Sequence, residues 1–269
     1  MTGSIVSTET VDINFIQDGE GPDIVWIPAG DQTCEVYDAQ FEEFRNDFRC
    51  TCYDPRGVGQ TISHTEPPWD IAVYAKDCAE LIQRVCEPPV VLVGLSLGAL
   101  ITQEVCLSYP ELVRLGIPMG TIARKTGFAY EWEESEIKMA EEGISLPSNF
   151  SVVHYAVLSY PAEVLGDDEL WQKCRPYVAS AYSDRDVSML AAQWDACLKY
   201  DSLERLPDCQ VPLHVISFEQ DLQTPPSRGQ VVADAAANGH FHLLEGLGHF
   251  SIFGHRPEQV NALIRSIIE

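Results

Sequence analysis

The chain has 269 residues, of which 45% are hydrophobic, and it carries a formal net charge of −24 at pH 7. This length fits one large α/β domain, with or without an insertion. The negative charge argues against binding to nucleic acids or to anionic membrane surfaces, because both repel an acidic protein.

The cysteines and the first residues of the chain indicate the cellular compartment and whether a metal site is expected. Nine cysteines are scattered along the chain, without the paired spacing of a zinc site. Most occur in apolar or helical contexts, where a free thiol behaves as a small hydrophobic residue. No apolar run approaches the ~20 residues of a membrane span, and the first residues lack the basic and apolar regions of a signal peptide. We therefore expect a reduced, cytoplasmic protein without a metal site.

Outside one central segment, the chain alternates strand and helix patterns. Residues 4–17 alternate apolar and polar side chains, which predicts an antiparallel hairpin at a sheet edge. Short buried strands are predicted at 24–27, 48–53, 90–93, 112–119, 211–218 and 241–244. Amphipathic segments between them predict helices, and the last helix covers residues 257–268. Such alternation indicates βαβ units and a mostly parallel sheet flanked by helices.

The central segment from residue 121 to residue 206 shows no convincing strand. It is rich in aromatic residues, and helices are predicted at 130–142, 150–160, 168–182 and 187–200. We interpret residues 121–206 as a helical cap inserted over the carboxyl edge of the sheet, with residues 1–120 and 207–269 as the core domain. The acidic run Glu131–Glu136 in this cap is interpreted as a solvated helix face.

One short motif, Gly94-Leu95-Ser96-Leu97-Gly98, stands between the strand at 90–93 and a helical pattern. Strand, Gly-x-Ser-x-Gly and helix in this order are the context of a nucleophile elbow, a sharp turn that exposes the serine. The small residues two positions before and after Ser96 allow neighbouring backbone to approach closely. The helix that begins there directs free N–H groups at the site. Ser96 is therefore the candidate nucleophile.

A serine hydroxyl becomes a good nucleophile when a neighbouring base takes its proton. His249 follows the last predicted strand, at the sheet edge where catalytic groups collect in open α/β folds. Asp221 follows the preceding strand and is the candidate carboxylate that orients the imidazole, with Glu219 as its nearest rival. Along the chain the order is Ser96, Asp221, His249. Three common folds carry such a triad, and this is the order of one of them and not of the other two.

These features resemble the α/β-hydrolase fold family, and the resemblance covers nearly the whole chain. Besides the elbow, the loop Asp54–Gly59 is similar to the family's Asp-x-Arg-Gly-x-Gly loop. The elbow together with Tyr109-Pro110 resembles the branch that contains enol-lactonases, esterases and C–C hydrolases. The expected fold is therefore an α/β-hydrolase fold with a helical cap insertion.

The resemblance also implies where an oxyanion would be held. The Leu97 N–H would be one donor, and the second would come from the loop after the strand at 24–27. This chain has Pro28-Ala29 in that loop, where the family usually has His-Gly. Gly30 is therefore the first candidate for the second donor, and Asp31 is the next.

The expected function is a serine hydrolase that cleaves an ester, lactone or related acyl bond of a small molecule through an acyl-enzyme on Ser96, with no cofactor. Two alternatives stay open. The same triad could serve a biosynthetic acyltransferase or a thioesterase, with a carrier protein as partner, although the acidic chain argues mildly against one. A non-hydrolytic lyase or cyclase, or a small-molecule receptor, could use the same pocket.

Overall fold

The computed structural model describes residues 3–182 and 187–269. The strands in these residues are β1 (Ser4–Ser7), β2 (Val11–Asp18), β3 (Asp23–Ile27), β4 (Arg49–Tyr53), β5 (Ile62–Ser63), β6 (Val90–Leu95), β7 (Val113–Met119), β8 (Leu213–Phe218) and β9 (Gly239–Leu244). They form one sheet in the order β1-β2-β4-β3-β6-β7-β8-β9, and the short β5 pairs with β2.

The sheet is antiparallel at one end and parallel elsewhere. The first two strands form the predicted hairpin, and β2 also pairs antiparallel with β4. From β4 onward every neighbouring pair is parallel, through β3, β6, β7 and β8 to β9. The carboxyl ends of these parallel strands therefore meet at one edge, where the candidate catalytic residues follow β6, β8 and β9.

Ten α-helices lie within the described residues. They are α1 (Asp38–Phe44), α2 (Ile71–Val85), α3 (Leu97–Ser108), α4 (Phe128–Glu141), α5 (Ser148–Ser159), α6 (Ala162–Leu165), α7 (Asp168–Tyr182), α8 (Val187–Lys199), α9 (Pro226–Ala235) and α10 (Pro257–Ile268). The start of α2 illustrates the local signals, since the Asp70 side chain accepts a hydrogen bond from Val73 N at its N-terminus.

Hydrophobic layers cover both faces of the sheet. In β3, Val25 and Ile27 pack into one layer, which includes apolar residues of α2 and α3. Ile24 and Trp26 point the other way, into a layer that includes residues of α1 and α10. Successive strand residues face opposite sides of a sheet, so burial of every residue in β3 requires helices on both faces. This arrangement confirms the predicted α/β-hydrolase fold with flanking helices.

The helices α4 to α8 lie between β7 and β8, in the segment that contains the undescribed residues 183–186. The short helix α6 was not predicted. The interpretation of Glu131–Glu136 as a solvated face is wrong for two members, because Glu133 and Glu136 are buried. Both lie on the side of α4 that also carries Ala129 and Ala140. Two glutamates of the acidic run therefore belong to the inward-facing side of the helix. Among the described residues, no helix has the length and apolarity to cross a membrane.

Candidate active site

Ser96 stands at the turn between β6 and α3. Its backbone has φ 55° and ψ −114°, a conformation that non-glycine residues adopt rarely and that marks strain at a functional turn. The Ser96 N–H donates to Met119 O at 3.1 Å, which ties the turn to β7. A Cβ atom on Gly94 would collide with Gly98 O, and one on Gly98 would collide with Ile27 O. The two motif glycines are thus required for the close approach of α3 to β6 and β3.

Asp221 and His249 are in direct contact. Asp221 Oδ2 lies 2.6 Å from His249 Nδ1, and the two residues are 2% and 0% exposed. The other carboxylate oxygen accepts hydrogen bonds from the backbone N–H groups of Gln223 and Thr224, both at 2.8 Å. Thr224 Oγ1 donates to Asp221 Oδ2 at 2.7 Å. These bonds orient the carboxylate, and the carboxylate in turn fixes the imidazole.

The second imidazole nitrogen is available for proton transfer. His249 Nε2 is buried and has no hydrogen-bond partner among the described residues. Gly120 leaves the space that the ring needs, since a Cβ atom on this residue would lie 3.0 Å from His249 Cε1. Ser96, Gly120 and Thr224 line one cavity, so the serine and the residues around the imidazole face the same space. Ser96 and His249 are both among the described residues, and no hydrogen bond joins the Ser96 hydroxyl to His249 Nε2.

The rival carboxylate, Glu219, lies away from this arrangement. Its side chain accepts a hydrogen bond from Gly246 N at 2.8 Å in an exposed position. The structure therefore places Asp221, and not Glu219, against the imidazole.

The predicted oxyanion donors are also at the cavity. Leu97 is the first residue of α3, so its N–H has no partner within the helix. Gly30 and Leu97 line the cavity together with Ser96. The second choice, Asp31, has its N–H committed to Gln193 Oε1 at 2.9 Å. Gly30 is thus the better placed of the two candidates.

Gln193 of α8 is a residue that the sequence analysis missed. It is fully buried, lines the cavity, and accepts from Asp31, whose φ of 61° is strained for a non-glycine residue. Its Nε2 donates to Arg56 O at 3.1 Å. Gln193 thereby joins the loop that holds Gly30 to the loop that begins at Asp54. No local pattern identifies it, since a glutamine on a helix is ordinarily solvated.

The loop Asp54–Gly59 has a structural part in this arrangement. Arg56 is almost completely buried and its guanidinium binds both carboxylate oxygens of Asp77, at 2.9 and 2.8 Å. Asp54 accepts from Cys34 N at 2.8 Å and from Gln60 N at 2.9 Å. The side chains of Asp54 and Arg56 thus stabilise the loops near the cavity, and neither residue lines it.

The cavity has a volume of about 50 Å³. Aromatic side chains of the helical segment form much of its wall, namely Trp132, Tyr182 and Trp194, and the two indole rings are 6.2 Å apart. Two charged residues, Lys125 and Glu133, lie in the same wall and form an ion pair. Burial lowers the pKa of Lys125 to about 8. The wall of the site thus contains aromatic and polar side chains, and among the described residues Lys125 and Glu133 are the two charged residues that line it.

The described residues include no group of three or more His, Cys, Asp or Glu side chains with the geometry to hold a metal ion. The nine cysteines are all free thiols, and eight of them are buried.

A strained serine elbow beneath helices, on a parallel sheet of this strand order, defines an α/β hydrolase. Residues 24–263 match the model of a family described as "Alpha/beta hydrolase family", and the chain belongs to that family. It is therefore a member of an enzyme family of hydrolases.

Individual relatives agree with this assignment. The chain is 29% identical over 216 residues, 80% of each chain, to a Mycobacterium tuberculosis protein named "Putative non-heme bromoperoxidase BpoC". It is 21% identical over 266 residues to 3-oxoadipate enol-lactonase 2 of Acinetobacter baylyi, covering 98% of this chain and 96% of the relative. The crystal structure of BpoC from M. tuberculosis H37Rv superposes with a TM-score of 0.87 at 26% identity, covering 94% of each chain.

Proposed function

We propose that the protein is a serine hydrolase that cleaves an ester, lactone or related acyl bond of a small molecule. The observation that carries this proposal is the 2.6 Å contact between Asp221 and His249, whose unpartnered Nε2 is buried beside the cavity that Ser96 lines. An oriented imidazole with one free nitrogen, near a serine on a strained turn, is the arrangement that activates a hydroxyl.

The reaction follows from these positions. His249 Nε2 accepts the Ser96 proton while Ser96 Oγ attacks the substrate carbonyl carbon, and the carbonyl oxygen becomes an oxyanion. The N–H groups of Leu97 and Gly30 donate to that oxygen. The imidazolium, held by Asp221, then gives its proton to the leaving alcohol oxygen, and the acyl group stays on Ser96. Water, deprotonated by His249, releases the acid and restores the hydroxyl.

The size of the cavity supports a small acyl substrate. The space beside Ser96 is narrow, and aromatic residues of α4, α7 and α8 enclose it. The relative from A. baylyi is named an enol-lactonase, which agrees with cleavage of an ester bond within a ring.

Acyl transfer from a carrier protein has less support. A carrier is usually acidic and would need a basic surface on this protein. Of the adjacent basic residues Arg124 and Lys125, the first lies 3.7 Å from the Asp201 carboxylate and the second is buried against Glu133. Neither offers an unopposed positive charge to an acidic partner. Lys173 and Arg175 of α7 are the other candidates, and they supply only two positive charges in a chain with a net charge of −24.

The test is a panel of p-nitrophenyl esters of increasing acyl length, together with γ- and δ-lactones, on wild type and Ser96→Ala. We expect turnover by the wild type and a loss of at least about 1,000-fold in the variant. The matched control is Ser266→Ala, which alters an exposed serine on α10 and should leave turnover unchanged. Full activity of Ser96→Ala would exclude the proposed mechanism.

A second arm separates hydrolysis from transfer. Each active ester is incubated with added alcohols and amines, and the products are identified by mass spectrometry. We expect the free acid as the main product at every acceptor concentration below molar. A dominant new ester or amide would assign the enzyme to acyl transfer instead.

A further inference from the structure

The ion pair between Lys125 and Glu133 lies in the wall of the candidate active site. Lys125 follows β7 in the chain, and Glu133 belongs to α4 of the helical segment. Their side chains are only 12% and 7% exposed, and both line the cavity that Ser96 lines. These two opposite charges are the charged residues of a wall that also contains four aromatic side chains in the described part of the chain. Burial of charges is unfavourable unless they are paired and their remaining hydrogen-bonding capacity is satisfied.

The pairing leaves part of this capacity unused. One Glu133 oxygen contacts Lys125 Nζ, whereas the other, Oε2, is buried without a hydrogen-bond partner among the described residues. An ammonium carries three N–H donors, and the contact with Glu133 uses one of them. Glu133 lines the cavity, and its second oxygen is an acceptor that the pair with Lys125 leaves unused. The unused acceptor beside a cationic donor therefore points to a ligand group.

The charges of Lys125 and Glu133 indicate which kind of substrate group could bind to them. The two charges sum to zero, so a substrate carboxylate would be repelled by Glu133 and an ammonium group would be repelled by Lys125. A hydroxyl group can donate one hydrogen bond and accept another, and both partners are present here. A hydroxyl can donate to Glu133 Oε2 and accept from Lys125 Nζ without a change in net charge.

We propose that Lys125 and Glu133 form a polar subsite that binds a neutral hydroxyl group of the substrate, so that the preferred substrates are hydroxy-substituted esters or lactones. This inference rests on the proposed serine-hydrolase function. It makes the pair a determinant of specificity, since a site built to hydrogen-bond a hydroxyl discriminates against the analogue that lacks it.

The experiment compares methyl hexanoate with its 2-, 3- and 6-hydroxy derivatives, with monomethyl adipate as the anionic analogue and methyl 6-aminohexanoate as the cationic one. Ester cleavage is followed in a pH-stat, and kcat/KM is compared between substrates for each protein. We expect the wild type to favour at least one hydroxy ester over methyl hexanoate by about tenfold or more. We expect both charged analogues to be poorer than that hydroxy ester.

The variant is Lys125→Met/Glu133→Leu, which removes both charges together and leaves no unpaired buried ion. Its ratio of kcat/KM for the hydroxy ester over methyl hexanoate should fall to about one. The matched control is Lys138→Met/Glu134→Leu, which removes an exposed pair with a 2.9 Å N–O distance from the same helix. The control should keep the wild-type ratio.

Labelling with a fluorophosphonate shows whether each protein retains a folded, reactive serine. If wild type is labelled yet ranks methyl hexanoate or a charged analogue first, the hydroxyl subsite is wrong and the serine-hydrolase proposal stands. The subsite is also wrong if the Lys125→Met/Glu133→Leu variant is labelled and keeps the preference. If wild type is not labelled and hydrolyses no ester, the proposed function fails and the subsite fails with it.

Discussion

Asp221 Oδ2 lies 2.6 Å from His249 Nδ1, although the two residues are 28 positions apart in the chain. The contact forms because β8 and β9 are parallel neighbours, so the loops after them meet at the same sheet edge. The Asp221 carboxylate thereby determines which imidazole nitrogen carries a proton and which one is left to accept a proton.

Replacement of Asp221 by Asn should therefore impair catalysis without unfolding the protein. The amide can no longer hold the imidazole in the required tautomer or stabilise the imidazolium, and we expect kcat to fall about 10⁴-fold. The measurement is steady-state kinetics on the best ester, with circular dichroism as the check of folding. Glu219→Gln is the matched control and should keep wild-type kcat. Equal losses in both variants would contradict the assignment of the carboxylate.

Gln193 should influence the rate through the loop that carries Gly30. Gln193→Met keeps the size of the side chain but removes the acceptor that holds Asp31 N at 2.9 Å. We expect kcat to fall about tenfold, less than the loss of a whole oxyanion donor, with a smaller change in KM. Gln230→Met, on the exposed face of α9, is the control and should behave as wild type. A change in KM alone would show that Gln193 acts on substrate binding instead.

The buried pair between Arg56 and Asp77 should control stability. Arg56→Met leaves the Asp77 carboxylate buried and unpaired, which costs about 3–5 kcal/mol. Thermal unfolding should show Tm lowered by roughly 6–20 °C. Asp77→Leu added to Arg56→Met should restore part of this loss, because it removes the isolated charge. Arg45→Met breaks an exposed pair with Asp18 and should leave Tm nearly unchanged. An unchanged Tm in Arg56→Met would contradict this account.

A cluster of three histidines on β8 and β9 should lower the free energy of unfolding in mild acid. His214 on β8 stacks on His240, with ring centroids 4.4 Å apart, and its Nδ1 lies 3.0 Å from His242 Nε2. Burial, together with these two neighbours, lowers the pKa of His214 to about 4. The unfolded chain, with a histidine pKa near 6.5, binds more protons between pH 4 and 6.5. This contribution to stability is complete above pH 6.5 and is lost as the pH falls toward 4.

The measurement is urea unfolding between pH 4.5 and 7.5. We expect the free energy of unfolding to rise with pH in this window for wild type. The slope should be smaller for His214→Gln, which removes the group with the lowered pKa. Equal slopes in the two proteins would show that other groups set the acid dependence.

Much of the fold could be predicted because its signals are local. The apolar run before Ser96, the glycines on either side of it and the cap at Asp70 each act within a few residues, and the structure places β6, α3 and α2 there. The partnership of Asp221 with His249 followed from a topological rule, since both residues lie in loops that follow parallel strands.

The wall of the site could not be predicted in the same way. The burial of Glu133 depends on Lys125 and on the packing of α4 against α8, and a segment with four glutamates in six residues ordinarily indicates a solvated surface. A signal was present in the spacing, because Glu133 and Glu136 share a helix face with Ala129 and Ala140. The contact of Gln193 with Asp31 spans 162 positions and has no local signature.

Covalent labelling tests most directly whether Ser96 is an activated nucleophile. The folded protein is treated with a fluorophosphonate, digested, and analysed by mass spectrometry beside a known serine hydrolase. The account predicts one adduct, on the peptide that contains Ser96, which disappears in Ser96→Ala and forms far more slowly in His249→Gln. Absence of that adduct in the folded wild type, while the known hydrolase is labelled, would contradict it.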